Sequence, residues 1–433
     1  MTSLRLLILA ELNHPEWVSV PRVGFEHSFA LAKDHRVTLV THAQNTQAIE
    51  AKTQRFVRVV GIDLGWLDRV YAWCFRVLFK GDFGSQALTA FRYPFYLYFE
   101  FKAWRALKKE IEAGAFDAVL RLTPVSPVLP SPIAVWCRKR KLPFVLGPIN
   151  GGLPWPLAYQ QAQKQKEWIS GLRRLHEHFP YAAQTYDAAA AIIVGSSQTY
   201  QSYQALHEKL FFIPENGMRS EQIASAPRAL HEGPLRLIFV GRLVPFKACD
   251  LALRAAAPLL KAGRAQFTIL GDGPERTALE AWVAEQGLQD RVRFTGTVAF
   301  ADVLEQLKVS DALVFPSIRE FGGGVVFEAM ALGVVPLVSD YGGPGDTVDA
   351  SFGFKIPLSD ESGSCSALSL ALQKLDEDRH LLASLSRQAI AHCREHLSWE
   401  GKAQKTTAVL RWVLGQGPYP AELKPAQTRP SAQ

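Results

Sequence analysis

The sequence predicts two α/β domains built on parallel, doubly wound sheets, and three observations carry that prediction. Short apolar runs alternate with segments of helical length; the alternation halts at a polar stretch and then starts afresh; and the glycine-rich and charged turns follow the apolar runs. Strand alternating with helix is the pattern of a parallel sheet covered on both faces. The chain has 433 residues, 48% of them hydrophobic, which is enough for two domains each with a core of its own.

In the first half, residues 4–10, 37–40, 118–120, 144–146, 191–194 and 210–213 read as strands. The first contains Arg5 and runs straight into Glu11, Asn13 and His14, so it is expected as a strand and not as a leader. Pro21-Arg22-Val23-Gly24 opens the helix that follows. Residues 66–109 interleave rings with cations: Trp66, Trp73, Phe75, Phe79, Phe83, Phe91, Tyr93, Phe95, Tyr96, Tyr98, Phe99, Phe101 and Trp104 with Arg69, Arg76, Lys80, Arg92, Lys102, Arg105, Lys108 and Lys109. Helices of this kind either bury their rings in a core or rest among lipid headgroups. Gly147-Pro148-Ile149-Asn150-Gly151-Gly152 is a shaped loop at a strand end, and His176 and His178, in a polar helical stretch beyond it, read as surface residues. Residues 1–218 are expected to form the first domain and 219–234 a linker.

The second alternation places strands at 235–240, 267–270, 292–294, 312–315 and 335–338. Ligands of doubly wound sheets bind beyond the carboxyl ends of the strands. Arg242 and Lys247 fall at one such end, and Glu320-Phe321-Gly322-Gly323-Gly324 at another, where a strand passes through a glycine loop into a helix carrying Glu328. Glycines let a ligand approach the backbone, and the first-turn amides of a helix favour an anion. A guanidinium fork and an ammonium suit a pyrophosphate, whereas the two carboxylates suit sugar hydroxyls. Gly271-Asp272-Gly273 and Tyr341-Gly342-Gly343 read as shaping turns, and Asp376-Glu377-Asp378 as a solvated helix end. The second domain is expected over 235–397, a final helix over 398–414 and a disordered tail over 415–433.

A net charge of +7 favours anionic partners, nucleotide sugars or acidic headgroups. No helix-turn-helix, zinc-finger or RNP pattern accompanies that charge, so nucleic acid is not expected. Cys74, Cys137, Cys249, Cys365 and Cys393 are scattered, which predicts free thiols in a reducing cytoplasm and neither zinc nor a redox pair. No apolar run reaches the roughly 20 residues of a membrane span, so the chain is expected in the cytoplasm, soluble or peripheral on the inner membrane face.

Residues 320–328 with their flanks Phe315-Pro316-Ser317 and Ala329-Met330-Ala331, together with Gly241-Arg242 and Lys247, resemble the Glu-x7-Glu signature and basic loop of retaining GT-B glycosyltransferases of family 4. Ala248 stands where that family has a glycine. The resemblance implies two Rossmann-like domains facing across a cleft, with the last helix crossing back. It implies metal-independent transfer, without a cofactor, of a hexose from a UDP- or GDP-sugar to a glycan or lipid-linked glycan in cell-surface polysaccharide synthesis. Arg242, Lys247 and Glu320 are then catalytic; Glu328, Gly322, Gly323, Gly324 and Gly24 bind the donor. Asn150, Gly151 and Gly152 occupy the loop in which the family often has a histidine beside the reacting sugar. A glycosidase using Glu320 and Glu328 leaves Arg242 and Lys247 unexplained, and a dehydrogenase lacks its Gly-x-Gly-x-x-Gly. A catalytically silent sugar-nucleotide-binding or membrane-associated scaffold is the alternative from another class.

Overall fold

The computed structural model describes residues 2–78, 91–156, 179–227 and 231–424, and the chain divides into two compact units. Unit 1 takes the described residues of Met1–Gly152, Gln165–Glu215 and Lys402–Gln433, and unit 2 those of Leu153–Lys164 and Asn216–Gly401.

Unit 1 runs β1 (Arg5–Ala10), α1 (Val20–Leu31), β2 (Arg36–His42), α2 (Thr46–Lys52), β3 (Arg58–Ile62), α3 (Trp66–Leu78), α4 (Tyr93–Glu112), β4 (Ala118–Thr123), α5 (Pro132–Arg138), β5 (Phe144–Ile149), α6 (Ala182–Ala188), β6 (Ala191–Val194), α7 (Ser197–Ser202) and β7 (Leu210–Phe212). Its seven strands are parallel in the order β3-β2-β1-β4-β5-β6-β7, so the direction of winding reverses between β1 and β4. The central strands are apolar on both faces because helices cover both, and β4 is buried at every position. The edge strand β3 is fully buried only at Ile62, with its two valines half-buried, and so carries no buried apolar run to read as a strand.

Unit 2 runs β8 (Leu235–Val240), α8 (Cys249–Lys261), β9 (Ala265–Leu270), α9 (Arg276–Glu285), β10 (Val292–Gly296), α10 (Phe300–Lys308), β11 (Ala312–Phe315), α11 (Gly324–Ala331), β12 (Val335–Ser339), α12 (Gly342–Thr347), β13 (Phe354–Ile356), α13 (Glu361–Glu377), α14 (Arg379–His396) and α15 (Trp399–Val413). Its six parallel strands are ordered β10-β9-β8-β11-β12-β13, with the reversal between β8 and β11. Within the expected linker Ile223 is buried in the core of this unit while Ser220 and Glu221 are exposed, and just before it Met218 pairs with Ser398. From Lys402 onward α15 counts with unit 1.

Two expectations are corrected. Asp376 is buried, not solvated, because Arg264 (2.6 Å) and Arg379 (2.9 Å) neutralise it, while Asp378 caps α14 through the Leu381 amide. The tail is ordered as far as Lys424: Tyr419 packs edge-on against Trp412 and contacts Phe211, Leu423 is buried, and the Lys424 ammonium meets the Leu210 carbonyl at 2.6 Å. One aromatic and one leucine outweigh the proline-rich composition there. Residues 425–433 lie outside the described set, as do Phe79, Lys80, Phe83, His176 and His178. The cysteines are free thiols, three buried and two half-buried. No described helix is long and apolar enough to cross a membrane.

Unit 1 carries ionisable groups deep in its interior. Glu100 on α4 is fully buried and accepts from the Tyr96 hydroxyl, the Ser131 hydroxyl (2.6 Å) and the Ile133 amide (3.1 Å). Burial raises its carboxyl pKa, opposed by Arg121, whose own guanidinium donates to the carbonyls of Leu129 and Pro124. This network fixes the turn between β4 and α5. His27 on α1 bonds Thr406 of α15 at 2.9 Å, and burial, with Lys402 nearby, lowers its pKa to about 3.

Candidate functional site

The elements of unit 2 bring four sequence-distant segments to the carboxyl end of its sheet. After β8 the chain turns through Gly241 to Lys247 and enters α8 at Ala248. That turn is held by backbone bonds to the loop after β9, Leu243 to Asp272 (2.9 Å) and Glu275 to Leu243 (3.1 Å). It is also tied to the segment after β11, where the Ile318 amide meets the Phe246 carbonyl at 2.9 Å. Ala248 adopts φ 54° and ψ 44°, left-handed backbone that disfavours a side chain, and its methyl group is buried. An alanine thus holds left-handed backbone at the entry to α8, at a cost of about 1–2 kcal/mol.

The basic turn and the glycine loop meet through Lys247 and Glu320, whose ammonium and carboxylate form an ion pair with both side chains largely buried, 15% and 16% exposed. The Lys247 ammonium also lies 5.0 Å from the centre of the Phe315 ring. Glu320 turns its other oxygen to the Gly323 amide at 3.4 Å. Gly323 precedes α11 at φ 58°, so the step from loop to helix requires a left-handed residue, and an added Cβ would lie 2.9 Å from Pro344. The Gly343 amide donates to the Glu320 carbonyl at 3.1 Å, joining the glycine turn after β12 to the same backbone. Glu328 is half-buried in the second turn of α11. Arg242 is exposed, its guanidinium 5.9 Å from the centre of the Phe246 ring.

Sequence reasoning did not single out Arg319, and it named Tyr341 only as part of a shaping turn. The Arg319 guanidinium donates to the Leu153 carbonyl (3.0 Å) and sits near the rings of Trp155 and Phe321; the Tyr341 hydroxyl donates to the Pro154 carbonyl (2.8 Å). Together they attach residues 153–155 to unit 2, beside the glycine loop. Arg319 precedes Glu320 directly, but nothing in the sequence marks a carbonyl 166 residues away as its partner.

In unit 1, Asn150 is buried and its side-chain oxygen accepts from Ser196 (2.8 Å) and Thr199 (3.2 Å). The Gly151 amide meets the Thr199 hydroxyl at 3.3 Å, and Gly152 follows at φ 74°. The amide side chain thus anchors the loop after β5 to the start of α7. Gly24 is buried in α1, where an added Cβ would come within 2.3 Å of the Leu12 carbonyl oxygen; its missing side chain serves the packing of α1 on the loop after β1. At the same end of this sheet Glu11 pairs with Arg92 at 2.9 Å, and His14 stacks on the half-exposed Trp17, ring centres 4.4 Å apart.

Residues 220–392, the segment holding Arg242, Lys247, Glu320 and Glu328, match the family model for glycosyl transferases group 1. The chain is 41% identical over 118 residues to a 2-deoxystreptamine glucosyltransferase of Streptomyces kanamyceticus, a match covering 27% of this chain and 30% of that protein. It is 31% identical over 190 residues to a D-inositol 3-phosphate glycosyltransferase of Nocardia farcinica, covering 42% of this chain and 41% of that one. The chain therefore spans about a third to two fifths of the length of these curated relatives. Among solved structures, the sucrose-phosphate synthase of Thermosynechococcus elongatus aligns with TM-score 0.65 at 18% identity over 95% of this chain and 99% of that one. HepE of Anabaena in complex with UDP aligns with TM-score 0.61 at 16% identity over 94% and 99%. At such identities the likeness establishes the fold, that of the GT-B glycosyltransferases, two parallel α/β units of Rossmann type.

Proposed function

We propose that this protein transfers a hexose from a nucleotide-diphosphate sugar to a hydroxyl of a glycan or lipid-linked glycan, with retention of configuration. The observation that carries the reading is the pairing of Lys247 with Glu320 at the mouth of α11, between a basic turn and a glycine loop at the strand ends of unit 2. Arg242 and Lys247 neutralise the charge that grows on the departing diphosphate, and the backbone amides of Gly322, Gly323 and Gly324, at the entry to α11, add to it. Glu320 accepts from the sugar hydroxyls, and Glu328 from the ribose diol. The bond between the anomeric carbon and the phosphate oxygen breaks. The acceptor oxygen bonds to that carbon on the same face, and its proton passes to the leaving phosphate. No carboxylate nucleophile is needed, and the two cations supply positive charge beside the diphosphate. The loop of Asn150, Gly151 and Gly152 in unit 1 borders the acceptor. A uridine donor is favoured over a guanosine one, because HepE, which shares the fold, has been solved with UDP.

A thermal-shift screen with UDP, GDP, ADP, CMP and dTDP tests the reading, since a ligand of the native state raises its melting temperature. A shift with UDP that Arg242→Ala and Glu328→Ala abolish is expected. No shift with any nucleotide on well-folded protein overturns it; a shift without donor hydrolysis or transfer to any acceptor favours the silent scaffold.

A further inference from the structure

The apolar rings of unit 1 separate into two populations. On α4, Tyr93, Tyr96, Phe99 and Trp104 are buried in the core, whereas Tyr98 and Phe101 are 37% and 44% exposed. On α3, Trp66 and Trp73 are each 64% exposed. A tryptophan loses more than any other side chain by standing in water, and two on one helix, seven residues apart, share a face. Arg69 and Ala72 are the exposed residues between them, so that face holds two indoles and a guanidinium.

The two helices are joined at this surface. The Lys102 ammonium, 5.6 Å from the centre of the Tyr98 ring, donates to the carbonyl of Asp63, three residues before Trp66. Tyr71 of α3 stacks edge-on against Phe95 of α4, ring centres 5.0 Å apart. Along α4 the exposed positions include Tyr98 and Phe101, then Arg105, Lys108 and Lys109, and end on Glu112, with the Arg105 guanidinium 5.8 Å from the centre of the Phe101 ring.

Charge decides what this face fits. Three of its acids are engaged, Asp68 with His42 (2.9 Å), Glu110 with Arg58 (2.9 Å) and Glu112 with Arg140 (2.8 Å), and the carboxylate of the exposed Asp63 accepts, among the described residues, only from the Gly65 amide (2.7 Å). Arg69, Lys102, Arg105 and Lys109 have no carboxylate partner among the described residues. Exposed indoles interleaved with uncompensated cations match the boundary between acyl chains and anionic headgroups. Position agrees as well, because α3 begins where β3 ends, at the end of the parallel sheet from which the loops after β1 and β5 project.

We propose that α3 and α4 dock unit 1 on an anionic lipid surface, with Trp66 and Trp73 inserted at the interface and Arg69, Lys102, Arg105 and Lys109 over the headgroups. The docking brings the sheet end bearing Gly151 and Gly152 to the membrane. It stands on unit 1 alone and does not require the donor chemistry of unit 2.

The test is co-sedimentation of the full chain with vesicles of phosphatidylcholine and with vesicles of equal parts phosphatidylcholine and phosphatidylglycerol. Pelleting with the anionic vesicles only, weakened by added salt, is expected. Trp66→Ala with Trp73→Ala should lower the partition coefficient about tenfold or more, and Arg69→Gln and Arg105→Gln about fivefold each. Far-UV circular dichroism and the UDP thermal shift should be unchanged in all of them, which separates this proposal from the donor reading. Folded wild-type chain that stays in the supernatant overturns the proposal, as does equal pelleting of the tryptophan variant. Concentration-dependent self-association in sedimentation velocity, lost in that variant, would assign the face to a second copy and overturn it too.

Discussion

In unit 2 the charged side chains of the candidate site gather where the strands end; in unit 1 a histidine, a lysine, an arginine and a glutamate lie deep in the interior. Lys247 and Glu320 sit at a loop mouth, supported by backbone bonds between glycine turns, while the buried carboxylates of this unit, Asp311 and Asp376, are paired with arginines that reach the surface. Glu100, Arg121, His27 and Lys402 are each nearly or fully buried, and all four belong to unit 1. The difference is one of purpose: a charge at a strand end is available to a ligand, whereas a charge in the interior is consumed in fixing neighbouring turns and helices. The first arrangement leaves stability to packing and spends polarity on chemistry. The second makes stability itself depend on polar partners.

The contrast can be sharpened by substitution. The largest expected effect is that of Glu100→Ala, which strands the hydroxyls of Tyr96 and Ser131, the Ile133 amide and the Arg121 guanidinium; about 3–5 kcal/mol of unit 1 stability is lost. Urea unfolding followed separately for the two units by site-specific fluorophores should register the loss in unit 1 alone. Next is Lys247→Ala, expected to lower donor turnover by roughly 10²–10³-fold while leaving the unfolding midpoint of unit 1 unmoved; sugar-transfer kinetics check it, and wild-type turnover in the variant would break the comparison.

A third effect follows from His27. Its native pKa of about 3 lies below the ordinary 6.5, chiefly through burial, so the folded state refuses a proton that the unfolded chain accepts. The neutral ring's contribution is full above pH 6.5 and is lost as pH falls from there towards 3, at up to about 1.4 kcal/mol per pH unit. Stability measured across that window should flatten in His27→Asn relative to wild type. Smallest is Ala248→Gly, which relieves left-handed backbone and should stabilise unit 2 by about 1 kcal/mol, read as a rise in its melting temperature.

The parallel α/β architecture was legible because buried strands are written as uninterrupted apolar runs, and residues 235–240 and 312–315 coincide with β8 and β11. The edge strands β3 and β13 were not, since a half-exposed strand of three to five residues such as Phe354–Ile356 needs no apolar run. The strand-end placement of Arg242, Lys247 and Glu320 was legible from spacing to a preceding strand. The roles of Arg319 and Tyr341 were not, because their partners are backbone carbonyls of residues 153–154, which carry no side-chain signature. The tail misled for a related reason: composition averages over the sequence, and the anchoring of residues 415–424 rests on Tyr419 and Leu423.

Unit 1 is sewn shut by the last helix of the chain. His27 meets Thr406, His35 meets Thr407 at 2.8 Å, the Lys402 ammonium donates to the Pro214 carbonyl, and the Arg411 guanidinium reaches the Thr2 carbonyl at 2.8 Å. On the ribosome, therefore, β1 and α1 are made long before the helix that completes their unit. His27 of α1 and His35 just after it emerge without these hydroxyl partners, and wait while residues 216–401 are synthesised. Only synthesis of the α15 residues from Lys402 onward supplies the closing helix, so a stop before Lys402 is a lesion of unit 1.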